Sequence, residues 1–318
     1  MEAQMGKKAL ALITAPLCLF AATAVLSAWD SEGHMAAADV AYRNLKPEAK
    51  QRAIALIKLN PNYEKWVSGL PQKARNNQAL VDEMTFMLAA TWPDEIKANG
   101  SGYENDGESP SVPNASANEG YDQVKVMHKY WHYVDRPYAI DGLQHGDAPS
   151  PNAETQMAVF RQVIGSDQPD ALKSYDLVWL MHLVGDVHQP LHCVTRFTQT
   201  EPNGDRGGND VKLTTPPGEL HGFWDNALGT SKAPSKVMKL AKRLARADTQ
   251  LAGDTNADDW ITESFGEAKT DVYVKPVGPG TGPYTLTRKY KKHAQALAKQ
   301  RVALAGARLA NVLNVELK

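Results

Sequence analysis

Leu180-Met181-His182-Leu183-Val184-Gly185-Asp186-Val187-His188-Gln189-Pro190-Leu191-His192 sets titratable side chains into a run that is otherwise apolar. His182 and Asp186 stand four apart, so on a helix both leave one face, one turn from each other, within reach of one metal ion. Gln189-Pro190 ends that helix, predicted over 171–188, because proline restricts the residue before it, and the chain then turns His192 back toward the same place. A helix apolar on most sides must be buried, and the segments around it share its period while β-branched runs are scarce. The expectation is an all-α protein: a single mainly helical domain with long loops and at most a short β-hairpin.

Working outward, Asp30 and Ser31 can cap a first helix reaching about Leu45, and Lys46-Pro47 begins another through Ile57. A helix around Gln78 to Ala90 stops before Trp92-Pro93, and others are expected near 153–165, 235–249, 256–266 and 286–316. The segment from Asn99 to Gly120 is rich in Gly, Ser, Asn and Pro and reads as a long surface loop. Between Thr198 and Gly218 only Val211-Lys212-Leu213 is strand-like, so a short hairpin or an irregular lid is expected there.

The N-terminus carries Lys7 and Lys8, then an apolar run from Ala9 to Leu26 and small residues to Ala28, the pattern of a secretory leader. The expected division is a leader at 1–28 and one domain at 29–318, in a secreted or periplasmic protein with no membrane association once the leader is gone. Leader removal takes Cys18 and leaves Cys193 alone, which excludes a disulfide framework. With 42% hydrophobic and 22% charged residues the chain is globular, and its net charge of −1 argues against a static nucleic-acid-binding module, which needs a basic face. An enzyme escapes that exclusion, because bound cations supply positive charge locally.

His221-Gly222-Phe223-Trp224-Asp225 repeats the four-residue His/Asp spacing. A lone pair of this kind is commonly a surface or capping arrangement. Two pairs in apolar helix are harder to explain that way, since buried imidazole and carboxylate need strong partners. Imidazoles with carboxylates suit Zn²⁺ better than Mg²⁺.

Trp29 followed by His34, Thr91-Trp92-Pro93-Asp94, Tyr130-Trp131-His132-Tyr133-Val134-Asp135, the His182–His192 stretch, Gly207-Gly208-Asn209 and His221–Asp225 together resemble, in order, the zinc-dependent single-strand nucleases of fungi and plants, the S1/P1 type. The resemblance runs from Trp29 to Asp225. It implies a helical protein holding three zinc ions: one on Asp94, His132, His182 and Asp186; a second on His192, His221 and Asp225; a third on the amine and carbonyl of Trp29, on His34 and on Asp186 as a bridge. An α-amino group with a reference pKa of ~7.7–8.0 yields its proton to zinc at neutral pH, which would give leader removal a chemical purpose.

Single-stranded DNA and RNA are the substrates so implied, cut to 5′-phosphate products, with 3′-nucleotidase activity beside it. Water activated by zinc would be oriented by Asp94 or Asp186, and Lys97 would lie on the phosphate. Asp135 and Asn209 match base-binding positions. The commonplace readings are a solvated Lys97, an Asp135 paired with Arg136, and a plain turn residue at Asn209. His188 has no assigned role beyond support or surface. The rival readings are the related zinc-dependent phospholipase C, against which the short Trp29–His34 spacing and the Gly-Gly-Asn segment speak, and a non-catalytic helical zinc-binding protein. No obligate protein partner is expected, and the chain is read as a monomer.

Overall fold

Helix α8, Asp170–Asp186, is the axis of the molecule, and every residue from Ser174 to Asp186 on it is buried. An apolar surface all round is stable only when other elements cover every side, and the rest of the chain supplies that cover. The computed structural model describes residues 29–110, 120–123 and 125–317. The leader expected at 1–28, and the part of the long loop at 111–119, lie outside the described residues.

Helix α1 (Ser31–Asn44), capped by the Asp30 side chain, leads into α2 (Pro47–Ile57), α3 (Tyr63–Gly69), α4 (Gln72–Arg75) and α5 (Gln78–Ala89). A one-turn α6 (Trp92–Glu95) follows with Pro93 in its first turn, where the missing N–H is harmless. The 3₁₀ turn Lys129–His132 and strand β1 (Pro137–Ala139) precede α7 (Ala153–Ile164), which opens with an Asn152–Thr155 capping box. After α8 come the 3₁₀ turn Pro190–Cys193, strand β2 (Thr195–Phe197) and α9 (Leu220–Asp225). Helices α10 (Pro234–Ala241), α11 (Thr249–Gly253) and α12 (Ala257–Glu267), the π turn Ala268–Val272 and the long α13 (Arg288–Glu316) complete the chain. Helices α1, α2, α6, α7 and α13 pack on α8, and α13 also runs along α1. The result is a mainly helical single domain, as the periodicity predicts.

Two local expectations are corrected, and two short helices appear that no expectation covered. The helix expected over 235–249 is divided, because Asp248 caps a new start by accepting from Gln250 N (2.8 Å) and Leu251 N (3.0 Å). Helices α3 and α4 are short and carry one buried residue each, Trp66 and Ala74, too little for a periodic signal. The one regular strand pair among the described residues is β1 with β2, parallel, in the register Pro137 to Thr195 through Ala139 to Phe197. Val211–Leu213 makes only isolated bridges, to Glu219 and Tyr284, since Lys212 N donates to Thr281 O and its carbonyl accepts from Tyr284 N.

Candidate metal centre

Six segments converge at the C-terminal end of α8. His182 and Asp186 come from α8 itself, His34 from α1, Asp94 from α6, His132 and His192 from the two 3₁₀ turns, and His221 with Asp225 from α9. Asp94 keeps slight exposure and the others are buried. They fall into three groups whose donor atoms lie within 4.8 Å of one another: His34, His182 and Asp186; Asp94, His132 and His182; His192, His221 and Asp225. His182 and Asp186 join the first two: Asp186 Oδ1 is 3.3 Å from His34 Nε2, and Oδ2 is 3.0 Å from His132 Nδ1 and 3.3 Å from His182 Nε2. Asp186 thus turns one oxygen toward His34 and the other toward His132 and His182.

Gly185 makes this closeness possible. A Cβ there would stand 2.7 Å from His34 Nδ1, so any larger residue would push α1 away from α8. The His34 ring instead stacks on His182 with centroids 3.9 Å apart.

Backbone carbonyls fix the imidazoles. His182 Nδ1 lies 2.8 Å from Ala90 O, His192 Nδ1 2.7 Å from His132 O, and His221 Nδ1 2.7 Å from Gly207 O. A carbonyl only accepts, so each Nδ1 carries the proton and each neutral ring turns an Nε2 lone pair inward. His192 Nε2 and His221 Nε2 then face each other at 3.1 Å with no proton between them. Burial holds both rings away from the imidazolium form, His192 well below the usual value and His221 at about 4. Two lone pairs in that position repel unless a cation lies between, with Asp225 Oδ1 3.9 Å from one nitrogen and Oδ2 3.6 Å from the other. The donor set therefore fits a divalent metal. Burial likewise lowers His132 and His182 and raises Asp225 well above the carboxylate range. It raises Asp186 to about 7, with the His34 hydrogen bond opposing. Burial thus favours the neutral forms of Asp186 and Asp225, and a metal entering there must displace their protons.

Trp29 has a fully buried side chain, and the neighbouring Asp30 N donates to Asp225 O at 3.1 Å, which ties the start of the domain to α9. Lys97 is buried rather than solvated, with Nζ 2.6 Å from Asp94 Oδ1. A cavity of about 240 Å³ opens beside these groups and is lined by Lys97, His132, Asp135, His192, Asn209 and His221 among others. Asp135 is not paired with Arg136. It accepts from Thr195 Oγ1 at 2.6 Å, burial raising its pKa, while Arg136 bonds Asp258, Glu154 and Thr262 Oγ1. Asn209 closes its turn, its Nδ2 donating to Arg206 O at 2.7 Å, and it also lines the cavity.

Sequence reasoning passed over Gln189, whose Nε2 donates to Asp225 Oδ1 and whose Oε1 accepts from Leu191 N, both at 2.7 Å. Its place between two histidines and before proline was the available signal. Lys129, Tyr133 and Arg206, all lining the cavity, were also passed over. His145 and His293 stand outside the three groups, on Asp141 and Asp271.

The model of the family described as S1/P1 Nuclease matches residues 29–318. Endonuclease 4 of Arabidopsis thaliana is 25% identical over an alignment that covers 90% of this chain and 88% of that protein. Endonuclease 2 of the same plant is 25% identical over 61% of this chain and 74% of its own length, and Nuclease S1 of Aspergillus oryzae is 27% identical over 48% and 55%.

Proposed function

The chain belongs to the S1/P1 nuclease family and is a metal-dependent hydrolase of phosphodiester bonds, and from that premise we propose a secreted three-zinc endonuclease that cuts single-stranded DNA and RNA to 5′-phosphate products and also acts on 3′-nucleotides. The observation that carries this reading is the facing pair His192 Nε2 and His221 Nε2, 3.1 Å apart at the wall of a cavity that also holds Lys97.

In it, Asp94, His132, His182 and Asp186 hold one zinc, His192, His221 and Asp225 a second, and the amine and carbonyl of Trp29 with His34 and Asp186 a third. When bound, the zinc ions supply Lewis acidity that polarises the phosphate and lowers the pKa of water. The chain does the rest. Asp94, fixed by Lys97, orients the attacking water and receives its proton. The Lys97 ammonium offsets charge gathering on the phosphate oxygens. Asp135 Oδ2 and Asn209 Oδ1 accept hydrogen bonds from a base edge, since Thr195 occupies the other Asp135 oxygen and the Asn209 amide nitrogen donates to Arg206 O. A base reaches these acceptors only when splayed from its neighbours, which gives the preference for single strands. Gln189 holds Asp225 in orientation.

Leader cleavage before Trp29 belongs to the same reading, since it frees the amine. Zinc-loaded protein beginning at Trp29 is expected to release acid-soluble nucleotides faster from single-stranded than from duplex DNA of the same sequence, and to release no phosphocholine from phosphatidylcholine. Equal rates on the two DNAs would remove the single-strand preference, and phosphocholine release without nucleotide release would move the chain to the phospholipase C reading.

A further inference from the structure

We propose that Arg206 forms a second phosphate subsite at the mouth of the cavity, gripping the phosphate next to the scissile one, so that the site prefers a strand to an isolated diester. This deepens the nuclease reading and rests on it.

The residue projects from a rigid turn. Asp205, wholly buried, accepts from Arg196 N (3.0 Å) and Nε (3.1 Å), Gly208 N (3.2 Å) and Tyr273 Oη (3.1 Å). Arg206 then sits at φ 52°, followed by Gly207 at 60° and Gly208 at 82°. Left-handed backbone is disfavoured for a side chain with a Cβ and free for glycine. The backbone duty of position 206, a carbonyl that accepts from Asn209 Nδ2, would be met equally by glycine. What glycine lacks is the guanidinium, so the side chain is the reason to look for at this position.

Arg206 lines the cavity with Asp135, Asn209 and His221, and it is the cavity cation least committed to a protein partner among the described residues. Lys97 lies 2.6 Å from Asp94 and Lys129 2.9 Å from Glu108. Arg206 reaches Asp210 only at 3.8 Å, with 56% of its side chain exposed. Its charge reaches the Asp135 wall, where it opposes the burial that raises that carboxyl. The next carbonyl, Gly207 O, holds His221 Nδ1 at 2.7 Å, so the turn that projects Arg206 also orients a candidate metal ligand. Lys97 stands with Asp94 at the reacting centre, which leaves Arg206 for a neighbouring phosphate. A planar fork of donors suits a phosphodiester, where a bidentate pair gives both charge and direction.

The test uses the zinc-loaded enzyme and three trinucleoside diphosphates. One carries two phosphates, and each of the other two replaces one linkage by an uncleavable, uncharged methylphosphonate, leaving a single cleavable bond with a neutral flank on either side. For the wild type, one of the two substituted substrates is expected to show a KM about tenfold above that of the unsubstituted one, the scale of one charge-assisted pair near the surface. Arg206→Gly, which keeps the backbone free at positive φ, is expected to lose that discrimination while its melting temperature and zinc content match the wild type. Lys292→Gln, an exposed cation on α13, is expected to keep it. Wild-type cleavage with equal KM on all three overturns the subsite and leaves the nuclease reading standing, as does discrimination that survives Arg206→Gly. A wild type that cleaves none of them overturns the nuclease reading, and the subsite with it.

Discussion

His188 and His192 leave the same turn four residues apart, both buried, and meet opposite surroundings. Each gives its Nδ1 proton to a carbonyl, His188 to Val184 O and His192 to His132 O, both at 2.7 Å. Their Nε2 lone pairs then part company. His188 Nε2 accepts from Arg308 Nη1 at 3.0 Å, and Arg308 is closed in turn by Glu263 at 2.8 and 2.7 Å. Arg301 joins the same carboxylate at 2.9 Å and donates to Ser264 Oγ at 2.8 Å, whose hydroxyl donates to Val187 O. His192 Nε2 faces another acceptor, His221 Nε2. A buried histidine is thus structural where its free nitrogen meets a donor, and the proposed metal-ligand role falls to the one whose free nitrogen meets another lone pair. The two histidines are told apart by what α13 and α9 bring to them.

The widest gap between the two regions should come from His192→Ala. It removes one of three donors from its group, and a loss of activity of about 10³-fold or more is expected, with less bound zinc and a metal-free melting temperature close to wild type. Steady-state rates with elemental analysis check this, and retained activity would place His192 among the structural histidines. Breaking the other region should do the reverse. Arg308→Leu strips a fully buried cation from Glu263 and His188, and a loss of about 3 kcal/mol in denaturant unfolding is expected while zinc content stays full. A smaller effect, about 1–2 kcal/mol, is expected for His188→Gln, which keeps an acceptor for Arg308 and loses the bond to Val184 O. If His188→Gln emptied the metal sites while leaving stability intact, the division between the two histidines would be wrong.

How much of this was legible in the sequence follows from the range of each interaction. The i, i+4 spacing of His182 with Asp186 and of His221 with Asp225 is local, and the helices deliver it as read. The arrival of Asp94 and His132 beside His182 depends on how α6 and the Lys129–His132 turn pack on α8, which no local spacing reports; the resemblance supplied it. Asp135 and Arg136 were paired as neighbours on the commonplace reading, yet adjacent residues in extended chain point to opposite sides, and Arg136 turns to α7 and α12 instead. The parallel pairing of β1 with β2 joins segments far apart in the chain, with all of α7 and α8 between them, and three residues a side leave no alternating pattern. Arg206 was missed because its interest lies in a backbone angle, and Gln189 because its partner comes from α9.

The most direct measurement is the metal content of active protein beginning at Trp29, taken by elemental analysis before and after chelation and refilling. Three zinc ions per chain are predicted, with hydrolysis of single-stranded DNA lost on chelation and recovered with zinc. Full activity in protein that carries no zinc or other divalent cation would contradict the account.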